Sequence, residues 1–164
     1  MATGTNEGIQ STIIYLTIYL FMNLGAFGCI FMMKRENVFY ENISDLSGLS
    51  KNHPLLAFSF LIILFSLAGI PPLAGFFAKF YIFMAVIEVK MYSLAIIGLV
   101  TTVVSAFYYT RIIKVIYFDK PSKPFDKSYD WGLKTSLALS SMLILIYFIY
   151  PSILTDAVSS IIIY

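Results

Sequence analysis

Hydrophobic residues run along this chain in four long blocks, at 11–33, 55–87, 91–117 and 133–150, parted by short polar stretches. A bilayer-spanning helix needs about 20 mostly apolar residues. A last apolar piece, 161–164, is too short to span. No repeat, low-complexity tract or flexible linker separates the blocks. The pattern predicts an all-α integral membrane protein: one transmembrane domain over 1–164, four spans, and both termini on one side.

The second block is unlike the others. Its 33 residues hold a single charged side chain, Lys79. As one helix they would extend roughly 50 Å, against a hydrocarbon core of about 30 Å. Near its middle stand Gly69, Ile70, Pro71 and Pro72. Two successive prolines remove two amide donors and clash with the preceding turn, and Ile70, before a proline, is pushed out of the α region. Half-helices over 55–68 and 73–86 are expected, joined by a link at 69–72. Open backbone at membrane depth survives only under protein cover or beside water, and discontinuous helices of this kind build ion sites in transporters.

Composition agrees with a membrane protein: 59% of residues are hydrophobic and 12% charged, about half the charged fraction of a soluble domain. A net charge of +2, with no basic tract interleaved with aromatics, gives no case for nucleic acid. Cys29, the only cysteine, lies in an apolar run and reads as a small buried hydrophobe. No metal or redox spacing motif occurs. The first ten residues hold no basic residue and are neither a signal nor a transit peptide.

Charge fixes the orientation. Lys34, Arg35 and Lys51 lie in the loop at 34–54; Arg111, Lys114, Lys120, Lys123, Lys127 and Lys134 lie in the connection at 111–134. Lys90 stands alone on the other side. The two basic connections should therefore face the cytoplasm or mitochondrial matrix. Trp131 with Tyr129, and Tyr150, are expected as interfacial anchors.

Several polar residues have both a packing and a functional reading. Gly25 and Gly28 share a face that admits a close neighbour, and Asn23 needs a partner. Thr101, Thr102, Ser105, Tyr108 and Tyr109 are either helix–helix hydrogen bonds or a polar path beside the break, with Ser105 and Tyr108 the favoured path residues. His53, at the mouth of the second block, is a proton relay or a plain loop residue. Glu88, Lys90, Glu41 and Asp45 read as solvated charge.

Lys79 is the leading candidate. Nine residues separate it from Glu88, which sets its Cα roughly 13 Å below the far interface. Snorkelling covers only part of that depth. A mid-depth lysine costs on the order of 2.5–3.5 kcal/mol and is tolerated facing protein or a wet cavity. Buried without an anion, it can gain and lose a proton in a cycle.

The stretch GIPPLAGFFAKFYIF, preceded by ISDLSGLSKNHPLLAFSFLIILFSLA and followed by SAFYYTRIIKVIYFD, resembles the antiporter-like subunit 2, or N-type subunit, of respiratory complex I. YLFMNLGAFG in the first block fits the same pattern. The resemblance covers nearly the whole chain but only the family's C-terminal third, the second block standing for a broken helix of that family. It implies a part in coupling NADH:ubiquinone reduction to proton pumping, with Lys79 at the family's proton-carrying lysine. FMN, iron–sulfur clusters and ubiquinone would be bound by other subunits, and no cofactor or metal by this chain. The implied partners are a polypeptide carrying the subunit's N-terminal helices, other membrane-arm subunits and lipid. The family's first broken helix and its embedded glutamate would lie outside this chain, and its opening Met suggests a split gene.

Abundant Ile, Phe, Tyr and Ser favour the mitochondrial inner membrane, with the bacterial plasma membrane as alternative. Two other readings stay open. One is a subunit of a related multi-subunit cation/proton antiporter. The other is a non-catalytic membrane accessory protein, with Lys79 paired permanently to a partner's acid.

Overall fold

The computed structural model describes residues 2–36, 38–126 and 130–162; Lys127, Tyr129 and residues 163–164 lie outside the described residues. Helix α1 spans Asn6–Phe31. It starts ahead of the apolar block because Thr5 caps it, the hydroxyl accepting from the Gly8 amide at 3.1 Å. A small hairpin follows, β1 Lys34–Arg35 antiparallel to β2 Val38–Phe39. After a 3-10 turn at Ile43–Leu46 and the short α2, Leu49–Asn52, Pro54 opens α3, Pro54–Ala68. Proline suits that first position, where its missing amide would have no helical partner. Residues 69–73 are not helical. Helix α4 runs over Ala74–Glu88, α5 over Tyr92–Phe118, α6 over Trp131–Ile149 and α7 over Ser152–Ile162.

Helix α1 is the centre of the bundle, packed against α3, α4, α6 and α7. Its buried positions Ser11, Ile14, Ile18, Met22, Gly25 and Cys29 recur every three or four residues, which puts them on one face. The partners change along that face. Gly25 lies against Ile63 and Ser140, Met22 meets Ser66, and Glu7 and Ser11 share a cavity with Tyr81 and Glu88. So α3 lines the second half of α1 and α4 its first half, the two following one another antiparallel to α1. Gly28 faces Leu137 of α6 more loosely than Gly25 faces its neighbours. Asn23 finds its partner within its own helix, donating to the Tyr19 carbonyl at 2.8 Å. Cys29 is fully buried.

Helix α5 covers α3 and part of α4. Gly48 donates to the Val115 carbonyl at 3.0 Å at one end, and Phe83 reaches Gly98 towards the other. Only Ala95, Ile113 and Ile116 of α5 are buried, while Ile96, Ile97, Val100, Val103, Val104 and Phe107 face outward. By length and composition α1 and α5 can each cross a membrane alone. Helices α3 and α4 have 15 residues each, about 22 Å, too short to do so singly.

The two connections at the hairpin end form one knot. The Arg35 guanidinium sits 4.6 Å from the ring centres of both Tyr40 and Phe125 and donates to the Ser122 hydroxyl and the Lys123 carbonyl. Asn52 donates to the Ser122 carbonyl at 2.8 Å, and the Asp126 amide to that of Lys34 at 2.7 Å.

The tail differs from the expected short apolar piece at 161–164. It is helix α7, begun after Pro151, which returns to the start of α1. Val158 is buried, whereas Ser152, Asp156 and Ser160, four apart, are exposed. Mixed composition hid this helix from a search for long apolar runs.

Candidate functional site

The site forms where α3 stops and α4 starts. Gly69 ends α3 at φ 81°, its amide reaching the Phe65 and Ser66 carbonyls. A left-handed residue in that place suits glycine, and a Cβ there would press on the Lys79 stem, 3.1 Å from its Cδ. Ile70 adds a bond from its amide to the Phe65 carbonyl at 3.0 Å. Pro71 and Pro72 are exposed and offer no amide with which to continue the ladder.

Ser66 joins the two helix ends. It is fully buried, its hydroxyl donating to the Met22 sulfur and accepting from the Gly75 amide, each at 3.0 Å. That satisfies one of the orphan amides at the start of α4. A Cβ on Gly75 would collide with the Ser66 carbonyl oxygen, so the first turn of α4 lies hard against the last turn of α3.

This close approach brings Lys79 to the end of α3. Its amine donates to the Leu67 carbonyl at 2.9 Å. A helix C-terminus carries roughly half a negative charge in its unsatisfied carbonyls, which favours the ammonium. Among the described residues, no carboxylate sits beside Lys79. The partner of this cation within the chain is therefore backbone.

On its other side Lys79 opens on a cavity of about 220 Å³. Tyr15, Tyr19 and Met22 of α1, Leu67 of α3, and Thr101, Thr102, Ser105 and Tyr109 of α5 complete its wall. The Thr101 and Thr102 hydroxyls donate to the Gly98 carbonyl, and Ser105 to that of Thr101, each at 2.9 Å. Their lone pairs remain to accept. The site thus combines an amine, the Leu67 carbonyl that it donates to and a hollow lined by hydroxyls.

Of the residues singled out from sequence, Lys79, Gly69 and Ser105 meet here, and Pro71 and Pro72 form the link. Tyr108 does not line the cavity: it is exposed and its ring packs edge-on to Phe107. Its neighbour Tyr109 takes that place. His53 is at the far end of α3, with about 20 Å of helix between it and Leu67, its ring 6.3 Å from that of Phe125. Glu88 lines a separate cavity with Glu7, Gln10 and Thr155. Tyr15, Tyr19, Ser66 and the Leu67 carbonyl were not anticipated. The only sequence signal for the two tyrosines is their spacing of four in an apolar helix, and a carbonyl leaves none.

The family model described as "NADH:quinone oxidoreductase/Mrp antiporter, TM" matches residues 1–105. The chain is 63% identical over 161 residues to NADH-quinone oxidoreductase subunit N of Pelagibacter ubique, covering 98% of this chain and 34% of that protein. With the subunit N of Parvibaculum lavamentivorans it shares 50% identity over 152 residues, 93% of this chain and 32% of the relative. The chain thus spans about a third of the length of these relatives. Among solved structures it resembles a chain of respiratory complex I from Thermus thermophilus with bound aureothin. The TM-score is 0.77 at 29% identity, covering 91% of this chain and 34% of that one. The chain belongs to the NADH:quinone oxidoreductase/Mrp antiporter transmembrane family.

Proposed function

We propose that this chain is the C-terminal third of an N-type subunit of a proton-pumping NADH-quinone oxidoreductase, and that Lys79 carries the proton through it. The observation carrying this reading is the Lys79 amine, 2.9 Å from the Leu67 carbonyl at the interruption and open to a polar cavity. Protonated, the amine gains from the negative end of α3. Neutral, it loses most of that attraction and can turn to the cavity. One amine with two resting places, one proton apart, has what a carrier needs.

In this reading α3 and α4 make one interrupted crossing, and with α1, α5 and α6 a single transmembrane domain crosses four times. Helix α6 has 19 residues, about 28 Å, and lies between the exposed Trp131 and Tyr150, as aromatic anchors would. The hairpin end, rich in Lys and Arg, faces the negative compartment. The bacterial relatives favour the plasma membrane over the mitochondrial inner membrane expected from composition. Other subunits hold the FMN, iron–sulfur clusters and ubiquinone. A polypeptide with the subunit's N-terminal helices and the remaining membrane arm cover the exposed faces.

The test is substitution in the assembled complex. Lys79→Met keeps the length and removes the titrating amine; Lys79→Arg keeps a charge that is not released near neutral pH. Both complexes should assemble, and both should lose NADH-driven proton uptake by more than about tenfold, within the range of general acid–base effects. Normal uptake by assembled Lys79→Met would sink the assignment.

A further inference from the structure

We propose that the phenols of Tyr19 and Tyr109 relay protons to Lys79, Tyr109 on the side of entry from the hairpin end. This deepens the reading of Lys79 as carrier and rests on it. The cavity, about 220 Å³, has room for several waters, each needing two to four polar partners. Its lining groups are unequal. The hydroxyl protons of Thr101, Thr102 and Ser105 are committed to carbonyls of their own helix, so these groups accept without passing a proton on. Among the described residues, no hydrogen bond engages the hydroxyls of Tyr15, Tyr19 or Tyr109. Those of Tyr19 and Tyr109 belong to residues that line the same cavity from α1 and α5. A phenol hydroxyl is donor and acceptor at once. Tyr109 is the lining residue furthest along α5 towards Val115, which ties that helix to the hairpin end.

The step balances without ionising the tyrosine. A proton from water bonds to the Tyr109 oxygen while the phenol's own proton leaves to the next water. The same exchange at Tyr19 brings a proton to water beside Lys79, and an N–H bond forms on the neutral amine as an O–H bond breaks. Tyr15 stacks on Tyr19 with ring centres 5.7 Å apart, which holds that ring against the cavity wall.

Tyr→Phe keeps ring, volume and stacking, so it isolates the hydroxyl. In vesicles holding the assembled complex, Tyr109→Phe and Tyr19→Phe should each slow NADH-driven proton uptake about threefold to tenfold and raise its solvent deuterium isotope effect. Tyr109→His, which substitutes another relay group, should recover much of the rate, whereas a ring needed only for packing would gain nothing from it. Tyr108→Phe, one residue away on the outer face, should leave uptake unchanged. If Tyr109→Phe does not assemble, Tyr19→Phe alone decides. Wild-type uptake by the assembled phenylalanine variants, with Lys79→Met still inactive, overturns the relay and spares the carrier. Equal slowing by Tyr108→Phe also overturns it. Normal uptake by Lys79→Met removes the carrier itself.

Discussion

Gly75 sets the distance between α3 and α4. Its missing Cβ is the space taken by the Ser66 carbonyl, and the two nearest atoms at that contact are backbone, which cannot swing away. Gly75→Ala should therefore destabilise the chain by about 1–3 kcal/mol, the usual cost of overpacking. Thermal inactivation of the detergent-solubilised complex measures it. Gly28→Ala is the contrast, since the new methyl would meet only Leu137 Cβ, at an ordinary 3.9 Å. It should be neutral or gain up to about 1 kcal/mol from alanine's better helix propensity. Unchanged stability in Gly75→Ala would mean that the helix ends do not need to touch. The same scale shows why Lys79 was legible in the sequence and its surroundings were not. A lone charge in a 33-residue apolar block marks itself. Choosing Tyr109 over Tyr108 requires knowing which side of α5 meets α3, because adjacent helical residues point about 100° apart. That orientation is set by contacts far away in the chain.

The elements were legible where local rules govern them. Half-helices expected at 55–68 and 73–86 correspond to helices at Pro54–Ala68 and Ala74–Glu88, since Pro54, Gly69 and the Pro71–Pro72 pair punctuate the chain whatever packs around them. Helix α7 and the knot at the hairpin end depend on long-range contacts and had no such signal. The knot has a testable keystone in Arg35. Its flat guanidinium lies over two neighbouring rings at once and reaches both Ser122 and Lys123, which a lysine cannot reproduce. Arg35→Ala should cost about 1–2 kcal/mol and speed proteolysis within 119–126 in the assembled complex, and Arg35→Lys should restore little. Unchanged protease resistance in both would show that the remaining bonds, from Asn52 and Asp126, suffice.

At the scale of the whole molecule, the packing gives the bundle two distinct ends. The start of α1, the turn between α4 and α5 and helix α7 gather at one: Glu7, Glu88 and Thr155 line a common cavity there. The hairpin, α2 and the 119–126 segment gather at the other, tied by Arg35 and Asn52. A membrane placed across the helices must separate these ends, whichever helices are long enough to cross alone. The basic residues are concentrated at the second end, and the proposed topology therefore sets that end on the negative side. Cysteine labelling can read this directly. The only native cysteine, Cys29, is fully buried and should add little background. Lys123 and Ser160 are exposed, at opposite ends of the bundle. In oriented vesicles holding the assembled complex, Lys123→Cys should react with an impermeant maleimide only from the cytoplasmic or matrix side. Ser160→Cys should react only from the other side. One crossing, α6, lies between the two positions, so labelling of both from one side would remove that crossing and break the four-crossing topology.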